Sequence, residues 1–220
     1  MRLSLAQRVQ SRLGAWRRIG APPSVLRWIA NGVPIEWEEG PPSKFYRENY
    51  LIPPAAKTWW VNGEETRLIE IGAIEQGRRR DFVSPAFLVP KAKEGEWRLV
   101  IDLRHVNQHC RKWSTRLETL KHLRGVAFQH DRFIVVDIQD GFYHLEVKED
   151  HRDYLTFELF GRLYRFRGLP MGWTNSPYYF CQLMRCVLRY FREPELMQRR
   201  KRGSLVIERR LMGASIRMLG

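Results

Sequence analysis

The sequence has few cysteines and lacks a long apolar run. Its three cysteines, Cys110, Cys181 and Cys186, form neither a CxxC pair nor an even set. This pattern excludes a disulfide framework and a zinc site built on paired cysteines, and it predicts a reduced, intracellular chain. A membrane-spanning helix needs about 20 consecutive apolar residues. Because no run comes near that length, we expect no association with a membrane.

Acidic residues are also scarce. The chain carries 38 Lys and Arg against 24 Asp and Glu, which gives a formal charge of +14. Such an excess favours a polyanionic partner, with nucleic acid as the first candidate. The first 35 residues contain no acid, as in organellar transit peptides. However, the spacing of Leu5, Val9, Leu13 and Trp16 predicts an ordinary amphipathic helix, so we do not expect organellar targeting.

The composition changes twice along the chain. Residues 1–63 are rich in Pro, Arg and Trp and are predicted to form an N-terminal arm. Within the arm, Ser24 is the predicted cap of a short helix that ends at Gly32. The proline-interrupted stretch 40–57 predicts an extended linker. Residues 64–192 are predicted to form the main domain, and residues 193–220 a divergent basic tail.

The main domain interleaves helix patterns with strand patterns. Apolar residues at helical spacing predict helices, whereas short alternating or β-branched runs predict strands. We therefore predict a mixed α+β fold, in which Asn175 or Ser176 caps the last helix. The predicted helices are 64–76, 115–123 and 175–192, and the predicted strands are 84–91 and 96–103 with a basic turn between them, 133–137, and a hairpin within 154–167.

The apolar run FIVVD ends in Asp137. A carboxylate at the end of a buried strand is costly unless a cation or several hydrogen-bond donors compensate its charge. Mg²⁺ prefers one or two carboxylates together with substrate phosphate oxygens. Two interpretations therefore stay open. Asp137 either binds a divalent metal or caps the turn that follows by accepting backbone hydrogen bonds.

Two further stretches each have a functional and a plain interpretation. In LPMGWTNSP, Gly172 marks a turn or the close approach of a ligand, and the next helix N-terminus suits a phosphate. The plain interpretation is a loop-to-helix junction. Lys91, Lys93, Arg98 and Arg104 lie on or beside the first predicted hairpin and suit a triphosphate or a nucleic-acid backbone. The plain interpretation is a solvated basic face.

The order of these stretches resembles a known family. SPAFLVPKAKEGEWRLVIDLRHVN, FIVVDIQDGFYHLEV and LFGRLYRFRGLPMGWTNSPYYF resemble the fingers and palm of retroelement reverse transcriptases, over about residues 64–190. The lead-in IGAPPSVLRWIANGVPIEW is similar to the segment before the polymerase in DIRS-type and gypsy-like retrotransposons. The resemblance implies the fingers and partial palm of a right-hand polymerase that performs RNA-directed DNA synthesis. It also implies Mg²⁺ or Mn²⁺ as cofactor, deoxynucleotides as substrates and a primed RNA or DNA template as partner.

The resemblance implies roles for single residues of the palm. Asp137 matches the catalytic, metal-binding aspartate, and the backbone around Ile138 matches a second metal contact. Asp140 and Gly141 match positions whose backbone lies along the incoming triphosphate. Phe142 matches an aromatic gate that leaves no space for a ribose 2′-OH and so favours deoxynucleotides.

Further matches lie in the fingers and in the turn before the last helix. Lys91 and Arg98 match residues that neutralise the triphosphate, with Lys93 as a rival to Lys91. The remaining matches are Met171 for the deoxynucleotide, and Gly172, Trp173 and Asn107 for template and primer.

One part of the family pattern is missing from the sequence. Reverse transcriptases carry a further hairpin with an aromatic residue, one variable residue and two aspartates, whereas the last aspartate here is Asp153. Two-metal phosphoryl transfer needs shared carboxylates that hold two ions about 3.5 to 4 Å apart. Asp137 with backbone oxygen does not meet this need. We interpret the chain as a truncated or frameshifted copy and predict that it is inactive by itself.

Two other functions stay open beside the polymerase fragment. One is a non-catalytic nucleic-acid-binding module that keeps the basic fingers. The other is a scaffold whose missing half, such as the remainder of the polymerase, comes from another chain. Binding that weakens with salt is expected for the first, and co-purification with a partner for the second.

Overall fold

Helices and strands alternate through the residues that the structure describes, 3–115, 136–192 and 217–218 of a computed structural model. The helices are α1 (Leu5–Gln10), α2 (Leu13–Arg18), α3 (Pro23–Asn31), α4 (Pro54–Trp59), α5 (Glu65–Glu70), α6 (Arg104–His109) and α7 (Ser176–Arg192). The strands are β1 (Phe45–Tyr46), β2 (Ile74–Gln76), β3 (Phe82–Ser84), β4 (Ala86–Pro90), β5 (Trp97–Ile101), β6 (Val136–Asp137), β7 (Thr156–Leu159), β8 (Arg162–Phe166) and β9 (Arg217–Met218). The helix predicted at 115–123 lies almost entirely outside the described residues, as do residues 133–135 and most of the predicted tail.

A five-stranded sheet in the order β1-β3-β7-β8-β2 forms the centre of the described fold. Strands β7 and β8 are antiparallel and form the second hairpin, as predicted. Its turn residues Phe160 and Gly161 both have positive φ, 52° and 78°, which is the backbone twist that two-residue hairpin loops require. The prediction of an extended linker at 40–57 was wrong in part, because this stretch contains the edge strand β1, which pairs parallel with β3, and the first residues of α4.

Strands β4 and β5 form the first hairpin, also as predicted. Leu88 pairs with Leu99, and both side chains are buried, whereas the tip, residues 91–95, is exposed. Gly95 at the tip has φ 77°, in the region that favours glycine. Strand β6 pairs antiparallel with β9 and ends at Asp137, so this aspartate does close a strand.

One apolar core joins the N-terminal helices to the strands. Val9 and Trp16 are fully buried, and they belong to the same cluster as Phe157 of β7 and Tyr179 of α7. Burial of a large apolar side chain stabilises a fold by about 1.5–3 kcal/mol. The helices before residue 63 therefore support the sheet and α7 directly.

Two predictions about the N-terminal helices need correction. The single amphipathic helix predicted near the N-terminus is divided at Ser11 and Arg12 into α1 and α2. Ser24 does not cap α3, because this helix already begins at Pro23 with Pro22 as its cap. Proline suits the first turn of a helix, since its fixed φ is helical and its missing N–H has no partner there. Gly32 does end α3, with φ 84°.

The helix predicted at 64–76 is also too long. Helix α5 ends at Glu70, the chain turns at Gly72 with φ 74°, and β2 begins at Ile74. Strand β2 pairs with β8, so tertiary pairing takes precedence over the local helical spacing.

Two of the three cysteines belong to the apolar core. Cys110 and Cys186 are buried, and each thiol donates a hydrogen bond to a carbonyl one helical turn earlier, at 3.3 Å. All three cysteines are free. Among the described helices, none combines the length and the apolar character needed to cross a membrane.

Candidate active site

Asp137 presents its carboxylate to solvent at the end of β6. The expected cost of a buried carboxylate therefore does not arise, and that premise of the sequence interpretation was wrong. Among the described residues no donor bonds to this carboxylate, so no hydrogen bond there supports the turn-capping interpretation. The same exposure leaves its oxygens accessible to a cation.

The turn after Asp137 is held in a specific backbone conformation. Asp140 adopts left-handed angles, φ 54° and ψ 37°, and its carbonyl accepts a hydrogen bond from the Tyr143 N–H at 2.9 Å. A non-glycine residue in this region carries strain, which surrounding contacts must offset. A short 3₁₀ segment, Gly141–His144, follows directly.

Helix α7 supports this turn through Phe180. A Cβ atom added to Gly141 would lie 2.8 Å from Phe180 Cζ, so glycine allows the ring to lie against the backbone. The Phe142 ring packs edge-on against Phe180, with 5.4 Å between ring centroids. The predicted gate residue thus has a fixed neighbour, and its ring is half-buried.

Arg67 contacts this turn from α5, and the sequence interpretation missed it. Its Nη1 donates to Asp140 Oδ2 at 2.8 Å, while its Nε and Nη2 donate to the two Glu64 oxygens, each at 2.8 Å. The hydrogen bonds to Glu64, reinforced by Asp140, raise the pKa of Arg67 above its ordinary value. The only signal in the sequence was an i,i+3 spacing of Glu64 and Arg67, which is common on helix surfaces.

Charges from the turn, from α5 and from the first hairpin all act on the pKa of the Tyr143 hydroxyl. Burial raises the pKa of the Tyr143 hydroxyl, and Asp140 raises it further. Arg67 and Arg98 act in the opposite direction, so the charge of Arg98 on β5 reaches this buried hydroxyl.

His144 lies behind the same turn and was also missed. Its side chain is 1 % exposed, and its Nδ1 is 3.2 Å from the Gly141 carbonyl oxygen. Burial lowers the pKa of His144, which favours the neutral imidazole. Helix α1 and the 3₁₀ segment pack together here, which connects the N-terminal helices to the candidate site.

The tip of the first hairpin separates the two rival lysines. Lys93 Nζ lies 2.5 Å from Glu96, whereas Lys91 Nζ lies 3.5 Å from the same carboxylate. The hydrogen bond from Lys93 lowers the pKa of Glu96. Lys91 is thus the less strongly engaged of the two, and Arg98, opposite Val89, is exposed.

Asn107 fastens the turn before α7. Its side-chain amide donates to the Gly172 carbonyl at 2.8 Å and accepts from the Thr174 N–H at 3.0 Å. Gly172 has φ 109°, and a Cβ there would lie 2.5 Å from the Ile101 carbonyl oxygen. Only glycine fits at this position, because the turn passes close to the backbone at the end of β5.

The two residues that flank Gly172 differ in their exposure to solvent. Met171 is 40 % exposed, whereas Trp173 is buried and stacks on Tyr179 with ring centroids 5.5 Å apart. Trp173 therefore fixes the turn from inside the core. Of the two predicted caps, Asn175 is the residue that precedes α7, but its side chain bonds to the backbone of Arg111 and Trp113.

A cavity of about 240 Å³ lies beside α6 and is lined partly by basic side chains. Its lining residues are Arg47, Asp102, Arg104, His105 and Gln108. Arg104 contacts Asp102 at 2.6 Å, and this hydrogen bond lowers the pKa of Asp102 to about 2. The described residues contain no group of three or more His, Cys, Asp or Glu side chains placed to hold a metal.

The described fold combines a five-stranded sheet, helices that pack with it in one core, and a separate basic β-hairpin. Solved structures share this fold. The prototype foamy virus protease-reverse transcriptase has a TM-score of 0.61 and 18% identity, over 88% of this chain and 28% of that one. The foamy viral protease-reverse transcriptase dRH, in complex with double-stranded DNA, has a TM-score of 0.58 and 19% identity, over 86% of this chain and 37% of that one.

A third structure, the foamy viral protease-reverse transcriptase in complex with double-stranded DNA, has a TM-score of 0.53 and 19% identity. The match covers 81% of this chain and 41% of that one. The present chain thus spans less than half the length of each of these proteins.

The family model described as reverse transcriptase (RNA-dependent DNA polymerase) matches residues 89–200, half of the chain. The chain belongs to the reverse transcriptase family. Both the predicted family and the predicted α+β, fingers-and-palm fold are confirmed. Its assignment to DIRS-type or gypsy-like retrotransposons stays a prediction.

Proposed function

We propose that this chain is the fingers and partial palm of an RNA-directed DNA polymerase and binds a deoxynucleotide between the first hairpin and the turn at Asp140. The observation that carries the proposal is the exposed basic face of the first hairpin, which presents Lys91 and Arg98 to solvent. Two exposed cations on one hairpin suit a triphosphate, whose charge needs several donors.

The residues at the strand end fit one divalent ion. Mg²⁺ binds through one or two carboxylates and completes its shell with water and phosphate oxygens. Asp137 would hold the ion, together with backbone oxygen at Ile138. The ion supplies Lewis-acid polarisation of a phosphoryl oxygen when bound. A second ion needs further carboxylates, and the described residues near Asp137 contain no such cluster.

The substrate assignment rests on Lys91, Arg98 and Phe142. Lys91 and Arg98 offer exposed charge on the first hairpin for the phosphate groups. Phe142, packed on Phe180, has little freedom to move away from a ribose 2′-OH. We infer selectivity for deoxynucleotides, because a fixed aromatic ring excludes the extra hydroxyl.

Template and primer are assigned to the turn that Asn107 fastens. Met171 and Gly172 lie on the exposed side of this turn, and Trp173 holds it from the core. The charge of +14 favours a nucleic-acid backbone as partner. Two relatives of the same fold were solved in complex with double-stranded DNA, which supports this assignment.

Primer extension on the purified chain with Mg²⁺ or Mn²⁺ tests its predicted inactivity. We expect no incorporation, because one carboxylate holds one ion and two-metal transfer requires two. Incorporation that disappears in Asp137→Ala and persists in Asp150→Ala would show that the chain is active. Asp150 is a suitable control, since its carboxylate is exposed and pairs with Lys148.

Nucleic-acid binding without catalysis is the second candidate function. It is favoured by the exposed basic tip of the first hairpin. Anisotropy of a labelled primer-template should show affinity that falls steeply with salt and survives Asp137→Ala. A flat salt response would contradict binding through phosphate contacts.

A further inference from the structure

Arg67 lies outside the segment that the family model matches, residues 89–200, but it contacts a residue inside that segment. It is on α5, 73 positions before Asp140 in the sequence, yet their side chains are 2.8 Å apart. Both are partly shielded from solvent, with 38% of the Arg67 side chain and 20% of the Asp140 side chain exposed. This pair is therefore less screened by water and salt than an ordinary surface pair.

Glu64 fixes the orientation of the guanidinium. Its two carboxylate oxygens accept from Nε and Nη2 of Arg67, which leaves Nη1 for Asp140. Such two-point contacts of a guanidinium with a carboxylate restrict direction as well as distance. Arg67 thus reaches Asp140 in one defined geometry.

Asp140 poses an electrostatic problem for a triphosphate site. The backbone of Asp140 and Gly141 is assigned to the triphosphate, but the Asp140 carboxylate carries the same sign of charge as the phosphates. Like charges at short distance disfavour binding, and partial burial strengthens this repulsion. A paired cation removes most of it.

We propose that Arg67 is a positioning residue of the nucleotide site, which neutralises the Asp140 carboxylate and holds it so that the neighbouring backbone receives the triphosphate. This inference rests on the proposed function, since it requires a triphosphate at this turn. Arg67 acts through Asp140 and does not itself contact the nucleotide.

Calorimetric titration of the full chain with dTTP and Mg²⁺ tests the proposal, with inorganic triphosphate as a second probe. Arg67→Gln should weaken binding of both probes about tenfold, because Asp140 is left with an unpaired charge. Asp140→Asn removes the carboxylate charge and leaves the backbone that is assigned to the triphosphate. In the double variant, Asp140→Asn should restore the affinity that Arg67→Gln loses, because no charge then needs compensation.

The matched control is Arg162→Gln. Arg162 is exposed and pairs with Glu65, the neighbour of Glu64 on the chain, so its loss should leave both affinities unchanged. Arg67→Lys keeps the charge and loses the two-point contact with Glu64, so it should bind with intermediate affinity. Circular dichroism establishes that each variant is folded. If Arg67→Gln does not fold, Arg67→Lys replaces it in the comparison.

The outcomes separate this inference from the proposed function. If the unchanged chain binds neither probe, the proposed function fails and the inference fails with it. If the unchanged chain binds and Arg67→Gln binds equally well, only the inference is overturned. An equal loss from Arg67→Gln in the Asp140→Asn background would also overturn it, because Arg67 would then contact the triphosphate directly.

Discussion

The two hairpins place the same residue type in opposite environments. Arg165, on β8 of the second hairpin, is 2% exposed and contacts Glu75, Glu149 and Asp153 at 2.5–2.7 Å. Arg98, on β5 of the first hairpin, is exposed and has no bonded acid among the described residues. Arginine on a hairpin strand is therefore a structural group in one case and a free charge in the other.

The difference follows from what surrounds each hairpin. The second hairpin lies within the five-stranded sheet, with β2 beside β8 and β3 beside β7, and its arginines meet acids from several elements. Arg152 and Arg167 extend the network by pairing with Glu146. The first hairpin forms a two-stranded sheet of its own, so its outer residues remain available to a ligand.

The largest effect should come from breaking the network of the second hairpin. Arg165→Gln should lower the free energy of unfolding by about 3 kcal/mol, because it removes a buried guanidinium from the network and leaves Asp153 without its cation. Urea unfolding measures this change. Arg162→Gln, on the same strand but exposed, should leave the free energy of unfolding nearly unchanged. Equal losses in the two variants would show that burial does not distinguish the arginines.

A smaller, pH-dependent effect is expected where the first hairpin ends. Arg104 lowers the pKa of Asp102 to about 2, below its ordinary value of 3.8. The charged form is thus favoured in the fold, so the stabilisation is complete above the ordinary pKa and is lost as pH falls towards 2. Asp102→Asn should cost about 1 kcal/mol at pH 6, a modest value because Arg104 is exposed.

Unfolding measured at several pH values checks this expectation. The difference between the unchanged chain and Asp102→Asn should shrink between about pH 4 and pH 2. A difference that is constant across this range would mean that the ionic pair with Arg104 is not its source.

The smallest effect on stability should come from the free charge of the first hairpin. Arg98→Gln should change the free energy of unfolding by no more than about 0.5 kcal/mol. It should nevertheless weaken dTTP binding about tenfold, since a cation facing the triphosphate is lost. Chemical unfolding and calorimetric titration of the same preparation test both parts. A marked loss of stability would place Arg98 with the structural arginines.

The sequence predicted those parts of the fold that depend on local chemistry. The turn at Phe160 and Gly161, the glycine-containing tip of the first hairpin and the end of α3 at Gly32 all follow from backbone preferences within a few residues. The division of α1 from α2 escaped prediction. The strand at Ile74 also escaped it, because its pairing partner β8 lies far away in the sequence.

The candidate site shows the same division. The order of the three motifs indicated the family, and the roles that it implies for Asp137, Asp140 and Phe142 stay predictions. Arg67 and His144 escaped, because each carries a spacing that suits an ordinary helix surface or core. Only the folded chain shows that they contact the turn.

By itself, the sequence determined the family, the excess of positive charge and the local turns, since each depends on residue identity or short-range spacing. The tertiary structure alone decided which arginines are paired, that Asp137 is exposed, and that Arg67 forms a hydrogen bond with Asp140. Burial and ion pairing are set by groups from distant segments, and their energies depend on how far those groups are removed from water.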